Sequence, residues 1–229
     1  MRTHEDVDAF LTETLVGSDP AGEAALAAQH DAGLPAIEVA PVNAKFLHLL
    51  TRIAGARRVL EIGTLGGYST IWFARAVGSD GQVVTIEAEP ANAEIARANL
   101  VNAGVADRVD VRIGRGADVL PTLVDEEPFD LVFIDADKES NTLYLDWAAR
   151  LGRPGTVVVL DNVVRGGEVA DADTPDSKMQ GARRGILMLG SDPRFDATAL
   201  QTLDRKGWDG VAVAIVVDPV AGLGGHRGP

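Results

Sequence analysis

The sequence contains no cysteine, which excludes disulfide crosslinks and thiolate metal sites and fits a reducing compartment. Aromatic residues make up only 5% of the chain, against abundant alanine, valine, leucine and glycine, a balance suited to helices packed on a parallel sheet. Basic side chains are outnumbered, 21 against 34 acidic ones, for a net charge of −13. That balance argues against a nucleic acid and against an anionic membrane surface, both of which need a basic face. No apolar run approaches membrane-spanning length, and Met1 to Asp8 has no signal-peptide pattern. A cytoplasmic location is expected.

What the sequence does contain is a regular alternation. At 229 residues it suits one well-cored α/β domain. Runs rich in Val, Ile or Leu near 58–62, 82–87, 108–113, 130–135 and 156–161 read as strands. Helices are expected near 69–78, 90–104, 116–124 and 138–150, which implies right-handed βαβ units and a parallel sheet. Before them, residues 4–33 read as two helices broken at Gly17-Ser18-Asp19-Pro20, with Asp19 as cap, and Pro41 opens another helix. After them come a helix near 176–190 and two β-like runs, 197–203 and 211–217. The Gly207-Trp208-Asp209-Gly210 stretch reads as the turn of an antiparallel hairpin at a sheet edge. The expected division is an N-terminal helical segment (1–35), a Rossmann-like core (36–218) and a mobile tail (219–229) within a single domain.

The most informative stretch is Val59-Leu60-Glu61-Ile62-Gly63-Thr64-Leu65-Gly66-Gly67-Tyr68-Ser69, a buried strand, a glycine-dense turn and a helix start. Ser69 is expected to cap the helix that follows. A dinucleotide fingerprint needs glycine where Leu65 stands, so a pyrophosphate ligand fits poorly. Glu87 ends the second strand, where a carboxylate with two acceptor oxygens can take two ribose hydroxyls.

Two further strand ends carry chemistry. Phe133-Ile134-Asp135-Ala136-Asp137-Lys138 and Leu160-Asp161-Asn162 should lie side by side and present oxygens to one point. Two carboxylates and an amide oxygen suit a hard cation, Mg²⁺ first, with Ca²⁺ or Mn²⁺ as alternatives. None of the four histidines lies near these ends in sequence, which disfavours zinc or ferrous iron. Lys138 follows Asp135 by three residues and so points back over that site. Ionising a phenol of pKa near 10 costs roughly 4 kcal/mol at neutral pH. A bound divalent cation removes much of that cost, and Lys138 is placed to take the proton.

Together these motifs resemble the class I S-adenosylmethionine-dependent O-methyltransferases, and within them the cation-dependent caffeoyl-CoA and catechol branch with its small bacterial members. Leu60-Glu61-Ile62-Gly63…Gly67-Tyr68-Ser69, Thr85-Ile86-Glu87, Gly116-Ala117, the Asp135–Lys138 run, Asp161-Asn162 and, upstream, Val39-Ala40-Pro41 carry the likeness. The resemblance implies a Rossmann-like, doubly wound, seven-stranded sheet, mostly parallel with an antiparallel C-terminal strand and helices on both faces, and commonly a homodimer. It implies donor contacts from Val39, Glu61, Gly63, Thr64, Gly67, Ser69, Glu87, Ala117, Asp135 and Asp137. It also implies metal ligation by Asp135, Asp161 and Asn162, and Lys138 as the base.

One departure stands out. Where many of those enzymes carry an aromatic near the acceptor mouth, this sequence reads Val163-Val164-Arg165-Gly166-Gly167. Arg165 either pairs with an anionic acceptor group or is an exposed loop arginine. The expected activity is S-adenosylmethionine- and cation-dependent methylation of a hydroxyl on a catechol-like, bidentate small molecule. A nicotinamide oxidoreductase and a non-catalytic donor-binding protein are the alternatives.

Overall fold

The computed structural model describes residues 2–204 and 206–218. The expected mobile tail, 219–229, lies outside them. Strands β1 (Arg58–Ile62), β2 (Gln82–Glu87), β3 (Val109–Ile113), β4 (Leu131–Ile134), β5 (Val157–Asp161), β6 (Phe195–Asp204) and β7 (Gly207–Val216) form one sheet. Its order is β3-β2-β1-β4-β5-β7-β6, with β1 to β5 parallel and β7 antiparallel to both neighbours. The chain therefore reverses direction across the sheet between β1 and β4, and ligands of such sheets bind above that crevice.

Alternation along the strands separates two apolar layers. Leu60, Ile62, Val84, Ile86, Val132, Ile134, Val158 and Leu160 face one side, beneath α7 (Asn141–Leu151) and α8 (Ser177–Ser191). Val59, Val83, Leu131, Phe133 and Val159 face the other. There they meet Ile71 and Phe73 of α4 (Tyr68–Val77), Leu47 of α3 (Pro41–Ile53), Leu100 of α5 (Pro90–Asn102) and Ala25 of α2 (Pro20–Asp31). Ahead of these lies α1 (His4–Leu11), and after β3 a short α6 (Gly116–Val119). Among the described residues no helix is long and apolar enough to cross a membrane.

Three local expectations are corrected. Gly207-Trp208-Asp209-Gly210 is not a turn but the start of β7, paired with Leu203, Thr202 and Gln201 of β6. A side chain at Gly210 would collide with Val164 and the Leu200 carbonyl, so that glycine serves close strand contact. Ser69 does not cap α4: left-handed Gly67 (φ 83°) precedes the helix, and the Ser69 hydroxyl donates to Glu61 instead. Asp19 does stand at the N-cap of α2, followed by Pro20, but its side chain makes no cap bond and its carboxylate instead accepts both Arg75 guanidinium nitrogens at 2.8 and 2.9 Å.

Candidate active site

The parallel strands all deliver their carboxyl ends to one rim, and above it lies a cavity of about 1140 Å³. One drug-sized ligand fills a pocket of roughly 300–1,000 Å³, so this one has room for two small molecules side by side. Of the residues expected from sequence, Gly63, Thr64, Ser69, Glu87, Asp135, Asp137, Lys138, Asn162 and Arg165 line it. Val39, Glu61, Gly67 and Ala117 do not, and Asp161 lines a smaller adjoining cavity shared with Asn162.

Glu61 lies beneath the floor for a reason set by register. It falls on the face of β1 that carries Val59, so its side chain enters the layer under α4. Buried there without a cation, it is held by hydroxyls: Ser69 at 2.6 Å, Thr70 at 2.5 Å and Thr85, its β2 neighbour, at 2.7 Å. Burial dominates and pushes its carboxyl up to about 7, against the opposing pull of these three donors.

Above it the glycine turn alternates handedness, with positive φ at Gly63, Leu65 and Gly67. Leu65, at the position where a dinucleotide site carries glycine, adopts φ 51° itself, which costs a non-glycine residue about 1–2 kcal/mol. Glu87 holds it there: its Oε2 accepts the Thr64 and Leu65 N–H groups at 3.2 and 2.7 Å. Oε1 accepts from Glu89 N at 3.0 Å and Asn92 Nδ2 at 3.4 Å. The carboxylate thus braces the turn, and Glu87 also lines the cavity.

At the far wall, Tyr144 of α7 donates its hydroxyl to Asp137 Oδ1 at 2.5 Å. Burial raises the phenol well above its usual range, and the acceptor carboxylate adds to the effect. Tyr144 lies seven residues, about two helical turns, beyond Asp137, a spacing from which the contact was readable. Tyr68 and Gly116, from two of the quoted motifs, also line the cavity, and so do Glu89, Asn92 and Gln29, which had not been expected there. Gln29 comes from α2, and no local pattern links it to a turn nearly forty residues away.

The β4 and β5 ends meet as the sequence implied. Ile134 pairs with Leu160, so Asp135 and Asp161 follow on neighbouring strands. Lys138, 5% exposed, donates Nζ to Asp135 Oδ1 at 2.7 Å. Removal from water raises the Asp161 carboxyl, the Asp135 charge raises it further, and Lys138 opposes both. Asn162 stands in the left-handed region (φ 59°), and its Nδ2 donates to Asp209 Oδ2 at 3.2 Å, turning the amide oxygen away from that carboxylate. Two adjoining carboxylates and an amide oxygen, balanced only by one ammonium, match the donor preference of a hard divalent cation. Among the described residues no three His, Cys, Asp or Glu side chains form a group that could hold a metal on their own.

Comparison with known proteins agrees with the fold. A family model described as O-methyltransferase matches residues 23–211. A catechol O-methyltransferase of Mycobacterium tuberculosis is 59% identical over 211 residues, covering 92% of this chain and 95% of its own. One from Niastella koreensis is 47% identical over 214 residues, covering 93% and 97%. The crystal structure of an O-methyltransferase from Bacillus cereus in complex with SAH is 49% identical, with a TM-score of 0.91 over 93% of this chain and 98% of that one. With a glycine turn, a braced acid and a two-ligand cavity on a sheet of this order, and with such relatives over nearly its whole length, the chain belongs to the O-methyltransferase family.

Proposed function

We propose that the chain transfers a methyl group from S-adenosylmethionine to one hydroxyl of a catechol-like acceptor held by a divalent cation, Mg²⁺ by preference. The observation that carries this reading is the continuity of one cavity from Glu87 and Gly116 at one end to Asp135, Lys138 and Asn162 at the other. The SAH in the Bacillus cereus relative, the demethylated form of that donor, supports the first half, and the two catechol O-methyltransferases support the second.

In this mechanism Gly63, Thr64, Ser69 and Asp137 bind the donor along the turn side, and Glu87 receives a ribose hydroxyl at Oε1. Asp135, Asp161 and Asn162 would hold the cation. When bound, the cation supplies the positive charge that makes an acceptor hydroxyl easier to ionise. Lys138 Nζ, packed against Asp135, would take the acceptor's proton in its neutral amine form, having first given up the ammonium proton, as the oxygen attacks. The walls then act by alignment, since in-line geometry at a sulfonium methyl contributes much of the rate. Arg165 lines the same cavity, so an anionic substituent on the acceptor has a cationic partner there.

A cytoplasmic homodimer completes the reading. Its support is the acidic, cysteine-free composition and exposed apolar side chains at Phe10 and Leu15, and at Leu200 and Leu203 on edge strand β6.

The test is methylation of a simple catechol from labelled donor, with excess chelator and after adding back Mg²⁺. Loss and recovery are expected, and Asp161→Ala should lower turnover at least ~100-fold while donor affinity by calorimetry stays within about threefold. Full turnover in chelator would falsify the cation dependence.

A further inference from the structure

The Asp209 carboxylate, contributed by the C-terminal hairpin, sits behind the strand ends and faces four donors. Oδ1 accepts Val164 N at 3.1 Å, Arg165 N at 3.0 Å and Gly210 N at 2.9 Å. Oδ2 accepts the Asn162 side-chain amide at 3.2 Å. The two oxygens divide the work: one clamps the loop that follows β5, and the other fixes which way the Asn162 amide points. Asn162 and Arg165 both occupy the left-handed region, at φ 59° and 53°, so the segment needs such a clamp to persist.

We propose that Asp209 is a positioning residue that orients the Asn162 amide oxygen toward Asp135 and Asp161, and so prepares the third protein ligand of the cation site before the cation arrives. An amide can present either end, and only an acceptor at its back forces the oxygen forward. Asp209 is that acceptor. Metal ligands held by such outer partners typically lose 10–100-fold in affinity when the partner is removed. The inference rests on the proposed cation reading, and its test separates the two.

Asp209→Asn keeps Oδ1 for the three backbone N–H groups but puts an NH₂ where Oδ2 accepted, so the Asn162 amide loses its anchor and the clamp survives. In the cation-free protein, the Asn162 side-chain amide protons should give resolved, exchange-protected NMR signals in wild type and not in Asp209→Asn. Mn²⁺ affinity, read by electron paramagnetic resonance, should fall 10–100-fold, with SAH affinity and thermal midpoint close to wild type. A merely structural role for Asp209 would leave the Asn162 side-chain signals of Asp209→Asn as they are in wild type. Unchanged Asn162 signals, or wild-type Mn²⁺ affinity in Asp209→Asn, overturn the inference alone. A wild-type chain that takes up no Mn²⁺ overturns the cation reading and the inference with it.

Discussion

The backbone carbonyl of Asp135 fills the space that a side chain on Gly63 would need. These two residues directly follow the neighbouring strands β1 and β4, and the contact brings the glycine turn and the Asp135 segment within one van der Waals layer. Gly63 N bonds Ile86 O at 3.0 Å and Asp135 N bonds Ile62 O at 2.9 Å, so neither backbone can step aside.

Gly63→Ala should therefore disturb both halves of the site together. Its φ of 102° is strained for alanine, and the methyl group meets fixed backbone rather than a flexible side chain. Strain and overpacking together cost roughly 2–4 kcal/mol. Denaturant unfolding should show that loss, and folded variant protein should bind both SAH and Mn²⁺ more weakly than wild type. If only one affinity moves, the contact does not couple the two halves.

Glu61 makes stability depend on pH. Its carboxyl is raised to about 7, chiefly by burial, so the folded chain holds a proton that the unfolded chain releases near 4.5. The contribution is fully present below the unfolded value and disappears as pH rises through about 7. Wild type should lose on the order of 2–3 kcal/mol between pH 5 and 8 relative to Glu61→Gln, which cannot titrate. Urea unfolding of both proteins at pH 5, 6, 7 and 8 measures the difference. Parallel profiles would show that Glu61 stays ionised throughout.

Tyr144→Phe removes a single hydroxyl from the cavity wall beside Asp137. Asp137 then loses its 2.5 Å donor while the ring remains packed, so the fold should lose only about 1 kcal/mol. Without that bond the Asp137 carboxylate gains rotational freedom, and SAH affinity should drop by roughly 3–10-fold with little change in Mn²⁺ affinity. An unchanged SAH affinity would leave Tyr144 as a packing residue.

Much of the scaffold was legible in the sequence because its signals are local. The β1 and β2 limits match to the residue, since Ile62 gives way to glycine and Glu87 to a polar turn. Asp135 and Asp161 could be placed side by side because parallel strands keep register over short runs. What was not legible depends on contacts between distant segments. The start of β7 reads as a turn by composition, and only its pairing with Leu203 and the squeeze of Gly210 against Val164 make it a strand. Glu61 was expected from the motif to contact the donor and instead lies under the floor, which the sequence did not reveal because its satisfaction by Thr85 requires the β1–β2 register. Asp209 gave no signal at all, being 47 residues from the amide it holds.

The place of the hairpin in the sheet has a consequence for the order in which the enzyme comes into being. Every residue of the glycine turn, its Glu87 brace and the Asp137–Tyr144 wall precedes residue 145, whereas β6 and β7 begin at Phe195 and Gly207. A ribosome releases the donor's walls first, and the strand bearing Asp209 slots in later, antiparallel, between β5 and β6. Asp209 is thus the last of these residues to leave the ribosome, after the glycine turn, its Glu87 brace and the Asp137–Tyr144 pair.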